Sequence, residues 1–290
     1  MTQRNIFLID GATGSELDRA GVDIGMPLWS ANAILEAPEI LKQVHIAYLE
    51  AGAQAIIANT FRTHERSLAK AGMGDRAEEL THKAVRIARS ACDEVNSNAL
   101  VYGSVAPLED CYSPELAPRS EVCEREHGQL IRHLVNAGVD LVLIETMCSA
   151  GEVCAASVAA MENTENWAVS FCLQQKGVGI LLDGNPISEF VPALMHASFI
   201  GINCYSATEL AEQVKHLRSL LPDDMPIAAY GNVGYADKEG SWVSTDAIDP
   251  NRYATYAMDW IEAGASIIGG CCGTTPETIK AINSSLKNYE

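Results

Sequence analysis

The sequence of 290 residues predicts a single (β/α)8 barrel spanning residues 1–290, and three observations carry that prediction. A helix–glycine–strand phrase recurs three times, eight short β-prone runs alternate with helical patterns, and several of those runs end in polar residues. In barrels of this class the active site lies where the strands terminate.

The repeated phrase is Glu50-Ala51-Gly52-Ala53-Gln54-Ala55-Ile56-Ile57, then Asn136-Ala137-Gly138-Val139-Asp140-Leu141-Val142-Leu143, then Glu262-Ala263-Gly264-Ala265-Ser266-Ile267-Ile268. Glycine takes the left-handed conformation after a helix without a Cβ penalty, and a strand apolar on both faces suits a buried parallel sheet. Helical stripes precede each glycine: Leu41, Val44, Tyr48; Leu130, Leu134; Tyr253, Ala257, Trp260. Further helices are expected over 76–95 and 207–221, and strands over 6–10, 55–59, 101–106, 141–146, 167–172, 199–204, 227–232 and 266–271. Ser149-Ala-Gly-Glu152 and Ser206-Ala-Thr-Glu209 have the form of capping boxes. The long connections 18–37, 108–120 and 236–249 are expected to cover the active face. An open doubly wound sheet is the competing architecture.

A formal charge of -18 opposes binding to nucleic acid, which requires clustered Lys and Arg. The N-terminus lacks a basic-then-apolar leader, and no apolar run reaches the ~18 residues of a membrane span. A cytoplasmic protein without membrane partners is expected, with homo-oligomerisation left open. Nine cysteines, odd in number and unevenly spread, point to free thiols or metal ligands rather than a disulfide framework.

The strand ends carry Asp10 followed by Thr13, then Asn59, Glu145, Asn203-Cys204, Asn232 and Gly269-Gly270-Cys271-Cys272-Gly273. A barrel can bring Cys204 to Cys271 and Cys272 although 67 residues separate the first two. The glycines around the vicinal pair are expected to let the backbone leave regular strand geometry, so that adjacent side chains reach one metal. Three thiolates would leave a fourth tetrahedral position for a substrate thiol, the pattern of a catalytic Zn2+ site. The other six cysteines are read as structural or incidental, and the histidines as surface or packing residues.

The pieces Asp10-Gly-Ala-Thr-Gly-Ser-Glu16, Leu28-Trp29-Ser30, Asn59-Thr60-Phe61, Glu145-Thr146, Asn203-Cys204 and Gly269-Gly-Cys-Cys-Gly-Thr274 resemble the homocysteine S-methyltransferase family over essentially the whole chain. The resemblance implies that Cys204, Cys271 and Cys272 hold zinc. It also implies that Glu145 and Asp10 hold the amino-acid part of homocysteine. Thr13, Asn59 and Asn203 join them as substrate-binding candidates. Trp29, Phe61 and Tyr205 are candidates to shelter a cationic methyl donor, and Asn232 to touch the metal or its substrate. S-methylmethionine is the expected donor, with betaine and S-adenosylmethionine behind it. The loop from Gly103 to Tyr112 departs from the family pattern on the donor side. Two rival readings are a barrel whose Gly269–Pro276 turn binds phosphate, and a non-catalytic zinc or thiol sensor.

Overall fold

Eight parallel strands pair side by side in the order 7–8, 267–270, 227–232, 200–206, 167–171, 141–147, 100–105 and 55–58, and a parallel bridge between Ile9 and Ala55 joins the two ends into a closed barrel. The computed structural model describes residues 5–95, 97–236 and 241–289. The first half runs β1 (Phe7–Leu8), α1 (Thr13–Arg19), α2 (Asn32–Glu36), α3 (Pro38–Ala51), β2 (Ala55–Ala58), α4 (Glu65–Ala69), α5 (Ala77–Glu94), β3 (Leu100–Val105), α6 (Ser120–Ala137) and β4 (Leu141–Met147). The second half runs α7 (Ala150–Asn163), β5 (Trp167–Phe171), β6 (Ile200–Ser206), α8 (Leu210–Leu220), β7 (Ile227–Asn232), a hairpin of β8 (Gly234–Ala236) and β9 (Trp242–Ser244), α9 (Pro250–Glu262), β10 (Ile267–Gly270) and α10 (Pro276–Tyr289). All eight expected barrel strands are present, and the closure excludes the open sheet.

The three phrase glycines turn the chain as the sequence implies, with φ of 108° at Gly52, 82° at Gly138 and 119° at Gly264. Alternation along each strand then sorts the side chains. Leu8, Ile56, Val101, Val142, Ile144, Val169, Ile202, Ala229 and Ile268 face the helices in the large outer core. Ile9, Ala55, Tyr102, Leu141, Leu143, Ala168, Ala228, Tyr230 and Ile267 fill the barrel interior. Continuing that alternation by one step toward the strand ends carries Ser104, Glu145, Ser170 and Asn203 inward. Polar residues therefore cap an apolar plug.

Three expectations need correction. The crossover from β5 to β6 holds no α-helix, only the short 3-10 turns Ile187–Glu189 and Val191–Leu194. Gly177, Gly179, Gly184, Pro186 and Pro192 crowd this segment and oppose helix formation. Neither capping box forms. Ser149 caps no amide with its side chain, Glu152 instead binds Leu108 N–H and His127, and α8 begins only after Glu209. Finally, Gly269 and Gly270 stay within regular strand β10. They are needed for close approach, since a Cβ on Gly269 would lie 2.3 Å from Ile9 Cγ1 and 2.9 Å from the Asp10 carbonyl.

Gly269→Ala is therefore expected to destabilise the protein by ~1–3 kcal/mol, the cost of overpacking a tight interior. A lower midpoint in urea unfolding would report it, and an unchanged midpoint would show that the β1–β10 seam is looser than these contacts.

Candidate metal centre

The sulfur atoms of Cys204, Cys271 and Cys272 all lie within 4.8 Å of one another. The Cys204–Cys272 separation is 3.8 Å and the Cys271–Cys272 separation 4.0 Å. Zinc–thiolate bonds of about 2.3 Å at tetrahedral angles place sulfurs about 3.8 Å apart, so the donor set fits a tetrahedral zinc trithiolate. Cys204 comes from β6 and the pair from just beyond β10, on either side of β7.

Local backbone geometry gathers them. The ladder between β6 and β7 shifts register between Asn203 and Ser206, and within that irregularity Cys204 takes a left-handed φ of 55°. The ladder between β4 and β5 shifts between Ile144 and Met147, around Thr146 at φ 61°. The two bulges are clasped together. Asn203 Oδ1 accepts from Thr146 N–H at 3.0 Å and from Ser170 Oγ at 2.7 Å, while its Nδ2 donates to Thr146 Oγ1 at 2.8 Å. Beyond β10 the turn is made by Gly273 at φ 83°, which lets Cys271 and Cys272 reach the same point. Asn232 ties the halves: its Oδ1 accepts from Cys272 N–H at 3.0 Å, and its Nδ2 lies 3.8 Å from Cys204 Sγ. Tyr112 hydroxyl sits 3.0 Å from Cys204 Sγ.

Electrostatics single out one sulfur. Hydrogen bonds from Cys172, Cys271, Cys272 and Tyr112 hold the Cys204 thiol well below its usual range. Cys271 and Cys272 are pushed well above theirs, as hydrogen-bonding neighbours of that thiolate.

The cluster opens into a cavity of about 600 Å³ at the C-terminal mouth of the barrel. Thr13, Trp29, Asn59, Phe61, Glu145 and Asn203 all line it, as do Ser104, Tyr112, Tyr230 and Trp242. Glu145 Oε1 accepts from Ser104 Oγ at 2.6 Å and its Oε2 from Tyr230 hydroxyl at 3.3 Å. Burial pushes its carboxyl up to about 7, against the pull of those two hydrogen bonds. Asp10 lies deeper, 1 % exposed. Its Oδ2 accepts from Ile57 N–H at 2.9 Å, and its Oδ1 is buried with no partner. Burial raises this carboxyl well above its usual range, with the neighbouring Glu145 charge adding to the shift.

A family profile described as Homocysteine S-methyltransferase matches residues 7–286. The chain belongs to the homocysteine S-methyltransferase family. A homocysteine S-methyltransferase from Escherichia coli K12 is 31% identical, covering 98% of this chain and 96% of that protein. A selenocysteine methyltransferase from Astragalus bisulcatus is 29% identical over 97% of this chain and 92% of its own. The crystal structure of the E. coli homocysteine methyltransferase MmuM in its metallated form superposes with a TM-score of 0.84 at 29% identity, covering 98% and 97% of the two chains. As a member of this family, the chain is a methyltransferase.

Some assigned roles change. Tyr205 is not a cavity residue. It points into the outer core, and its hydroxyl accepts from Gln213 at 3.1 Å. Asn59 binds Ser30 through both side-chain polar atoms, at 2.7 Å each, and so positions the segment that carries Trp29. Cys172 and Cys148 pack against Cys204 and Cys111 lines the same cavity, so three of the six remaining cysteines belong to the surroundings of the centre. The phosphate reading fails because the turn's amides are already used. Gly270, Cys271, Cys272, Gly273 and Thr274 N–H donate to Asp10 O, Gly231 O, Asn232 Oδ1, Ser15 Oγ and Cys271 O. Sequence reasoning missed Ser104, Tyr230 and Tyr112. Strand alternation would have found the first two.

Glu145 loses solvation on folding, so the native state holds its proton more tightly than the unfolded chain. Stability from this group is full below the ordinary carboxyl value of 4.5, falls as pH rises to about 7, and is level above. Glu145→Gln is expected to stabilise the free protein at pH 8 by at most about 3 kcal/mol, read as a higher urea midpoint, with the gain vanishing toward pH 4.5. A variant less stable than wild type at pH 8 would show that the carboxylate is solvated or paired.

Proposed function

We propose that this chain transfers a methyl group from a sulfonium or ammonium donor, S-methylmethionine in the first instance, to the thiol of L-homocysteine, giving methionine. The observation that carries the reading is the trio of sulfurs converging at the wall of a cavity that also exposes Glu145. Cys204, Cys271 and Cys272 would hold Zn2+, which when bound supplies the Lewis acidity that keeps a fourth, substrate sulfur deprotonated near neutral pH. The whole of residues 1–290 serves as one homocysteine-binding barrel.

The protein's own groups then do the positioning. Glu145 and Asp10 form an anionic floor for the homocysteine ammonium, and the unpartnered Asp10 Oδ1 is an acceptor awaiting a donor. Ionisation of two buried carboxyls, unfavourable in the free protein, becomes favourable once that cation arrives. Asn203 keeps Thr146 and Glu145 aimed inward through its clasp. Trp29 and Trp242 line the outer part of the cavity, where a ring face stabilises a cationic methyl donor by on the order of 1–2 kcal/mol.

Transfer forms a bond between the homocysteine sulfur and the methyl carbon while the donor's bond to that carbon breaks. The donor leaves as a neutral thioether or amine, so an anion and a cation annihilate, which a dry cavity favours over water. No helix among the described residues is long and apolar enough to cross a membrane. The nine free cysteines support a reducing, cytoplasmic setting.

Protein purified without chelator is expected to carry about one zinc per chain by elemental analysis. Cys271→Ser should lose both the metal and methionine formation. A panel of methyl donors offered with homocysteine names the donor. Zinc-free protein that remains active would overturn the metal assignment, and zinc-loaded protein that methylates homocysteine from none of the donors would leave the sensor reading.

A further inference from the structure

We infer that Arg62 binds the carboxylate of the methyl donor, so that the enzyme selects onium donors that also carry an acid group. The inference rests on the methyltransferase reading above and specifies the donor half of the same cavity. Arg62 lines that cavity yet is only 6 % exposed. Guanidinium groups stay charged at physiological pH, and a buried charge is costly unless it is paired. Arg62 has no carboxylate partner among the described residues. One Nη donates to the Glu109 carbonyl at 2.9 Å, the guanidinium lies 5.5 Å from the Phe61 ring centre, and its Nε is buried with no acceptor.

The nearby acids are already taken. Glu109 turns its carboxylate to Arg66 at 3.1 Å and Lys70 at 2.5 Å, and Arg66 also holds Glu126 at 2.7 Å. Asp110 accepts from Tyr112 N–H at 3.1 Å and from Ser113 Oγ at 3.2 Å. The other cation lining the cavity, Arg19, pairs with Glu16 and with the Gly273 carbonyl. In a chain of net charge -18, one enclosed cation facing a substrate cavity without an acid is a site built for an incoming anion.

Position assigns that anion to the donor. Arg62 sits in the wall made by the β2–α4 and β3–α6 connections, with Phe61 over its guanidinium and Trp29 edge-on to Phe61 at 5.3 Å. A molecule whose cationic centre rests on Trp29 would bring a carboxylate to Arg62. The homocysteine ammonium is matched instead by Glu145, whose partners Ser104 and Tyr230 come from β3 and β7.

The test compares S-methylmethionine with its carboxamide, which keeps the sulfonium and ammonium and lacks the acid, in wild type, Arg62→Gln and Arg62→Lys. Loss of a charge-assisted hydrogen bond weakens binding by roughly ten- to a hundredfold. Wild-type KM should favour the acid over the amide by that factor. Arg62→Gln should raise KM for the acid to the level of the amide while leaving the homocysteine KM in place, and Arg62→Lys should restore part of the preference.

Tryptophan fluorescence titrations with the same two donors, without homocysteine, should give the same ratio of dissociation constants and decide the matter even if no donor is turned over. Equal use of acid and amide by wild type, equal loss of both in Arg62→Gln, or a rise confined to the homocysteine KM would each overturn the assignment. If Arg62→Gln does not fold, the wild-type acid-to-amide ratio and Arg62→Lys still decide. Absence of homocysteine methylation with every donor would count against the functional reading, whereas loss of acid–amide discrimination counts only against Arg62.

Discussion

Three sulfurs within 4.8 Å cannot all carry charge unless a cation sits among them. That constraint organises the mouth of the barrel. Of the three, Cys204 has its thiol shifted downward, because neighbouring thiols and the Tyr112 hydroxyl hydrogen-bond to its sulfur. The other two thiols are shifted upward by the same contacts and by burial. A divalent cation would reverse this balance at a single point, converting mutual repulsion into coordination. The bulges in β4 and β6, the Asn203 clasp and the Asn232 bridge all hold sulfur-bearing or carboxylate-bearing backbone where that reversal is possible.

The barrel and the thiol trio were legible in the sequence for a definite reason. Helix, glycine and apolar strand leave a local periodic trace, and chemistry-bearing residues stand directly after such strands, as Glu145 does after Leu141–Ile144. Residues that act through long-range register leave no such trace. Ser104 and Tyr230 reach Glu145 only because β3 and β7 close around the interior. Tyr112 reaches Cys204 across 92 positions of sequence from a loop with no periodic pattern. Tyr205 misleads for the opposite reason. It adjoins Cys204 in sequence, yet its side chain is packed in the outer core.

The same logic explains the failed capping box at Ser149. Ser149 and Glu152 have the right spacing, but Glu152 is claimed by a tertiary demand, the Leu108 N–H and His127 pair buried between α6 and α7. That anchor fixes the start of the loop carrying Glu109, Asp110 and Tyr112. A local motif was overridden, and the beneficiary is the wall of the cavity beside the three sulfurs.

Trp29, Thr146 and Cys204 share a backbone region that residues other than glycine and asparagine rarely occupy. Glycine at any of them would relax the chain, yet it would remove the indole that lines the cavity, the hydroxyl that meets Asn203 or the sulfur itself. The scaffold's least comfortable residues thus all stand at the mouth of the cavity. Substitutions that relax these positions would gain durability only by giving up the side chains that shape the mouth of the barrel.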